Sequence, residues 1–246
     1  GKRPITTHYS GDYTYIDTAM IAQPCIEYIV CDAYHAADKR LLDMLAATEN
    51  LCLPFAKPFQ ITEFGGDWNA SSLEGLRGDL YGGLWWGWIS HSAGTPLYWW
   101  FELVAQEDYY AAYRALARYI AGEDKRRGRE DPQLHGRWAV SFDNPSGPLP
   151  GLKSLALGDG RVFYLWAYDA AQIRLLPRDP AGYQQYHGAR LLLATGQAGK
   201  EFSVEAWDSW TGDRLSTADL AADGKGALSI PLPDFKVHAA LKIRAK

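Results

Sequence analysis

The sequence predicts an α/β unit followed by an all-β unit. Three observations carry that reading. Up to about residue 121, short apolar runs alternate with helical patterns, as strand–helix units of a parallel sheet do. From about Arg137 the apolar runs become short and alternate with period two, as strands of an antiparallel sandwich do. Between them, residues 123–136 are charged and hold Gly and Pro, as a linker does. The expected domains are 1–122 and 137–246.

The elements follow in order. Pro4–Ser10 (PITTHYS) reads as a strand, and Cys25–Tyr34 (CIEYIVCDAY) as a better one, rich in Ile, Val and Tyr. Ala36–Thr48 carries Leu41, Leu42 and Leu45 at helical spacing. Phe59–Phe64 (FQITEF) is strand-like and follows a Pro. Ser71–Ser92 opens with a capping box, Ser71 followed by Glu74, and continues as a glycine-containing helix able to pack closely on a sheet. Thr95–Glu102 (TPLYWWFE) reads as an aromatic strand, and Asp108–Gly122 as an amphipathic helix with Gly at its end. Beyond Arg137, six strand-like runs are punctuated at Gly158-Asp159-Gly160, Thr211-Gly212-Asp213 and Asp223-Gly224.

Composition excludes some functions. Hydrophobic residues make up 47 % of the 246, enough for a sizeable core. The formal net charge is -4, and the one basic cluster, Lys125–Arg129, is flanked by Glu123, Asp124, Glu130 and Asp131. A nucleic-acid footprint is therefore not expected. No apolar run reaches the length of a membrane span. No glycine-rich nucleotide motif follows a strand. Cys25, Cys31 and Cys52 show no metal-ligand spacing; buried thiols are expected, with one disulfide open. Neither metal nor cofactor is called for.

One stretch poses a question. In Lys57–Trp68 (KPFQITEFGGDW) a glutamate closes an apolar run, directly before two glycines. A carboxylate there is costly unless it is paired, solvated or used. KPFQITEFGG resembles the seventh barrel strand of the clan A (β/α)8 glycoside hydrolases, where a Pro-x-x-x-x-Glu-Phe/Trp-Gly pattern ends in the nucleophile. RPITTHYSG resembles their fifth strand and IEYIVCDAY their sixth. GGLWWGWISHSAGTPLYWWFE resembles the eighth helix and strand of a cellulase-like, family 5-like subgroup. VEAWDSWTGDRLS and LPDFKVHAALKIR resemble the β-sandwich that follows such barrels.

The resemblance implies the C-terminal half of a (β/α)8 barrel, strands five to eight, then a sandwich. It implies an exported retaining glycosidase acting on a poly- or oligosaccharide, with Glu63 as the nucleophile. Catalytic groups of such barrels sit at the C-terminal ends of strands. A retaining enzyme sets its two carboxyl groups roughly 5–5.5 Å apart. Alternation places Phe59, Ile61 and Glu63 on one side of their strand. Tyr34, ending the sixth strand, is a candidate to donate its hydroxyl to Glu63. Trp100 is the candidate sugar-stacking floor; Trp99 faces the other way, and which of the two faces inward stays open. His8 and Tyr9 are candidates to line the cleft, with a solvent-facing His8 the plainer reading. Asp32, Glu102 and Asp67 are weaker acidic candidates, read as loop charges.

The resemblance also exposes a gap. The clan carries its acid/base as a Glu after Asn at the end of strand four, and this sequence has no Asn-Glu dipeptide. A second polypeptide supplying strands one to four is therefore expected as a partner. The competing reading is a non-catalytic carbohydrate-binding or structural protein on a hydrolase scaffold. The departure at CDAY favours it, because Asp32 stands where the family often has His.

Overall fold

The computed structural model describes residues 3–9, 16–35, 40–66, 71–125, 136–143, 149 and 151–246. They divide into two compact units, 1–110 with 174–178, and 111–173 with 179–246.

The first unit is built on a four-stranded parallel sheet. Its elements are β1 (His8–Tyr9), α1 (Thr18–Ile21), β2 (Ile29–His35), α2 (Leu41–Cys52), β3 (Phe59–Gly66), α3 (Leu73–Trp88), β4 (Leu97–Tyr98) and α4 (Phe101–Gln106). The strands lie side by side in chain order, and every pairing is parallel. β2 is buried along nearly its whole length, as strands of parallel sheets are. α2 turns Leu41, Met44, Leu45, Thr48 and Cys52 inward at three- and four-residue spacing. Its predicted first turn, from Ala36, lies outside the described residues.

α3 shows why its glycines are there. A Cβ on Gly83 would lie 2.2 Å from the Phe64 ring of β3, and one on Gly87 2.2 Å from Thr95 Oγ1. The helix backbone thus rides directly on the sheet. Its cap differs from the predicted box. Ser72, not Ser71, is the N-cap, accepting a hydrogen bond from Gly75 N at 3.1 Å. The N3 residue is then a glycine, so no side chain returns the bond.

Two further expectations are corrected. The predicted strand Thr95–Glu102 shrinks to β4. Trp99 N still donates to Phe64 O, but Trp100 O already receives Leu103 N and Val104 N, so α4 starts there. Aromatic β-propensity yields to the backbone hydrogen bonds that open the helix. Of the cysteines, Cys31 and Cys52 are buried and Cys25 is exposed; all three are free thiols.

The second unit opens with α5 (Tyr110–Ile120) and is otherwise β: β5 (Gly136–Arg137), β6 (Val140–Asp143), β7 (Leu152–Gly158), β8 (Val162–Asp169), β9 (Gln185–Tyr186), β10 (Arg190–Ala194), β11 (Glu201–Trp207), β12 (Arg214–Ala221), β13 (Ala227–Pro231), β14 (Phe235–Lys236) and β15 (His238–Ala245). A six-stranded sheet runs β12-β11-β15-β8-β7-β5, and a three-stranded sheet runs β13-β10-β6. All their pairings are antiparallel. Inward residues of both sheets, among them Phe163, Leu165, Leu191, Phe202, Leu228 and Ile243, form one apolar core. The predicted turns are present: Asp159 Oδ1 accepts from Arg161 N and Val162 N, and Gly160 takes φ +83°. α5 groups with this unit rather than with the parallel sheet. Its Tyr119 hydroxyl donates to Leu241 O at 2.7 Å, and its ring meets Trp207 edge-on.

Candidate functional site

The candidate site gathers where β2 and β3 end. The two strands run in simple register as far as Cys31 opposite Ile61. Register resumes at Ala33 opposite Phe64. β3 thus carries one extra residue, a bulge at Thr62–Glu63. This corrects the alternation argument. Phe59, Ile61 and Phe64 are buried, and Phe64 lies against α3 at Gly83. Thr62 and Glu63 instead reach side chains of β2, Asp32 and Tyr34. Unbroken alternation would have left Glu63 with Phe59 and Ile61.

Glu63 meets Tyr34 directly. The Tyr34 hydroxyl donates to Glu63 Oε2 at 2.5 Å. A phenol aimed at a carboxylate makes a strong hydrogen bond and fixes its rotamer. Trp99 is 43 % exposed, and its ring stands edge-on to Tyr34 at 5.9 Å and 87°. Trp100 turns to the end of β3. Its Nε1 donates to Gly66 O at 3.1 Å, and a Cβ on Gly65, where φ is +149°, would lie 3.1 Å from its ring. Of the two tryptophans, Trp99 presents the exposed ring beside Tyr34.

His8 and Asp32 form a second cluster on this face. His8 Nε2 donates to Asp32 Oδ1 at 2.7 Å, and the Thr62 hydroxyl donates to the same oxygen at 2.8 Å. Asp32 is only 1 % exposed. It is therefore not the loop charge expected of it, but a buried carboxyl group hydrogen-bonded from β1 and β3. Glu102 is not in a loop either; it lies exposed in the first turn of α4. Tyr9 donates its hydroxyl to Asp17 O. Asp67 lies outside the described residues, as does most of the basic cluster at 126–129.

Sequence reasoning missed three residues here: Thr62, His35 and Asp79. His35, the last residue of β2, and Asp79, from α3, form a buried pair with Nε2 and Oδ2 2.8 Å apart. Burial pushes the Asp79 carboxyl above its ordinary pKa, and the hydrogen bond from His35 works against that rise. No pattern flags Asp79, because a lone Asp in a helix reads as a surface charge until the fold shows what it faces.

The arrangement offers an ionisable carboxyl group held by a phenol, with an exposed indole beside it, at the C-terminal edge of a parallel sheet. Among the described residues no cluster of three or more His, Cys, Asp or Glu side chains is placed to hold a metal ion. Among the same residues no helix is long and apolar enough to cross a membrane.

No protein-family model matches the sequence, and no curated protein matches it. Several solved structures are similar to it, and they are glycoside hydrolases. A family 5 glycoside hydrolase from Bacteroides vulgatus shares 10 % identity, with 94 % of this chain and 52 % of that chain covered and a TM-score of 0.47. A family 30 endoxylanase from Clostridium papyrosolvens shares 9 %, covering 90 % and 50 %, with a TM-score of 0.45. A glucosidase from Croceicoccus marinus shares 9 %, covering 92 % and 56 %, with a TM-score of 0.42. The chain spans about half the length of each.

Proposed function

We propose that this chain carries the nucleophile half of a retaining glycoside hydrolase site acting on a poly- or oligosaccharide. The observation behind the reading is the Tyr34–Glu63 hydrogen bond at the ends of β2 and β3. In this mechanism Glu63 attacks the anomeric carbon and forms a glycosyl ester as the glycosidic C–O bond breaks. The acid/base protonates the leaving oxygen and then takes a proton from the water that hydrolyses the ester. Tyr34 holds the attacking oxygen and stabilises the carboxylate. Trp99, exposed beside them, offers a face for a sugar ring. The resemblance of KPFQITEFGG to a nucleophile strand supports the same assignment.

The reading includes a (β/α)8 barrel of which β1 to β4 are the fifth to eighth strands, followed by a β-sandwich. It requires an acid/base carboxyl from a further barrel segment, in a partner polypeptide or elsewhere in a longer chain. Export from the cell belongs to the same proposal.

Mechanism-based trapping tests it. The protein, together with its complementing segment, is treated with an activated 2-deoxy-2-fluoro glycoside and digested for peptide mass mapping. The label is expected on Glu63, and Glu63→Gln is expected to lower turnover by on the order of a thousandfold or more while the fold persists. A label on another residue, or turnover undiminished in Glu63→Gln, sinks the assignment. Asp32, buried and paired with the exposed His8, stands where the resembled family often has His, and this favours a second reading as a non-catalytic carbohydrate binder. That reading predicts saccharide binding with neither turnover nor trapping.

A further inference from the structure

Glu63 reaches Tyr34 only because of the bulge in β3. A strand slipped by one residue turns each side chain to the opposite face. Something must therefore hold the shifted register beyond the bulge. The last pair of the β2–β3 ladder is His35 opposite Gly66. Asp79 touches both of its members. Its Oδ2 pairs with His35 Nε2 at 2.8 Å, and its carboxylate accepts the Gly66 backbone N–H. The Gly66 carbonyl in turn receives Trp100 Nε1.

The fit around this clamp is tight. A Cβ on Gly66 would lie 2.0 Å from Ser71 Oγ and 3.2 Å from Asp79 Oδ2. The Asp79 and His35 side chains are 8 % and 9 % exposed. Burying a carboxylate in a helix–sheet interface is unfavourable, and an apolar side chain there is often as good or better for stability. Arg174 adds a favourable charge from nearby. Asp79 therefore sits at a cost in stability at a point where a helix side chain meets the ends of both site strands.

We propose that Asp79 is a positioning residue, which locks the bulged register of β3 by bridging His35 and Gly66 and so holds Glu63 against Tyr34. The effect on geometry stands independently of any activity; a consequence for turnover rests on Glu63 being the nucleophile.

The test separates the two. Tyrosines are replaced by 3-fluorotyrosine, and the Tyr34 fluorine resonance is assigned by its loss in Tyr34→Phe. Glu63→Ala defines the resonance position without the hydrogen bond. In Asp79→Leu the Tyr34 signal is expected to move to that position. In Asp79→Asn it is expected to stay near the wild-type position, because the amide can still accept from Gly66 N–H and bond the imidazole. His35→Ala opens the clamp from the strand side, leaves α3 untouched, and is expected to shift the signal as Asp79→Leu does. Thermal unfolding of each variant records stability separately. If either Asp79→Leu or His35→Ala folds and leaves the Tyr34 signal in place, Asp79 is structural only and the proposal fails. Should Asp79→Leu not fold, His35→Ala decides. In protein with hydrolytic activity, Asp79→Leu is expected to lower kcat by on the order of a hundredfold with little change in KM. Wild-type protein that stays inactive together with its complementing segment would overturn the glycosidase reading, while the fluorine signal would still decide the role of Asp79.

Discussion

At the scale of single residues, the candidate site rests on one short hydrogen bond and two buried aspartates. Tyr34→Phe removes the hydroxyl that meets Glu63 and leaves the ring against Trp99. Hydrogen bonds to charged groups contribute about 1.5–3 kcal/mol. If that bond serves the nucleophile, the variant should lose roughly 10- to 100-fold in turnover, read by steady-state kinetics. Undiminished turnover would show that Tyr34 merely packs. Another residue-scale effect lies in the second unit. His238 is fully buried, with Trp210 and Trp166 against its ring, and burial pushes its pKa down to about 3. The unfolded value is about 6.5. His238 therefore contributes stability that is fully present above pH 6.5 and is lost as pH falls toward 3. By the size of the shift, the loss is at most about 5 kcal/mol. Denaturant midpoints of the wild type should fall between pH 7 and pH 4, and those of His238→Phe should fall less. Parallel pH profiles would contradict the assignment.

Among the elements, α3 and α5 make opposite demands. α3 packs by leaving side chains out. Gly83→Ala would drive a methyl group into the Phe64 ring, at a cost of about 1–3 kcal/mol. A lower urea midpoint is the expected result, and because Phe64 adjoins Glu63, activity should fall with it. An unchanged midpoint would mean that the helix can move off the sheet freely. α5 packs through Tyr119, and charge anchors the turn that follows it. Glu123, just past its end, accepts from Lys242 Nζ at 2.9 Å, from Arg244 and from the Tyr164 hydroxyl. The Lys242 side chain is only 3 % exposed and also lies over the Trp207 and Tyr119 rings. Glu123→Ala would leave that ammonium buried without its carboxylate. The expected loss is about 3–5 kcal/mol, and Glu123→Ala with Lys242→Met should recover part of it, measured as a double-mutant cycle. Strict additivity of the two changes would rule out the pair as a unit.

Across the whole molecule, the division into a parallel unit and an antiparallel unit was open to reading in the sequence. Period-two runs broken by Gly-Asp and Asp-Gly turns become β7 to β15, because such turns and such alternation are local properties. Alternating apolar runs and helical patterns become β2-α2-β3-α3 for the same reason. Three short stretches were less legible. TPLYWWFE carries strand-forming aromatics, yet the helix that begins after Trp100 cuts the strand to two residues. The first turn of α3 holds two serines, and only packing selects Ser72 as its cap. Helix 110–120 looks like the next helix of the parallel series, but Tyr119 commits it to the antiparallel unit.

The sequence by itself determined the order and type of the elements, and it brought Glu63 to the end of a strand, because periodicity and turn chemistry act over a few residues. The facing of Glu63 was decided by tertiary structure alone. A bulge is the mismatch between two strands, and neither strand records it. The partners of Asp32 and Asp79 were decided the same way. His8 lies 24 residues from Asp32, and His35 lies 44 residues from Asp79. No local pattern links residues so far apart. Burial of each carboxylate makes such a partner necessary, and only the folded sheet and its helix bring the partner within reach.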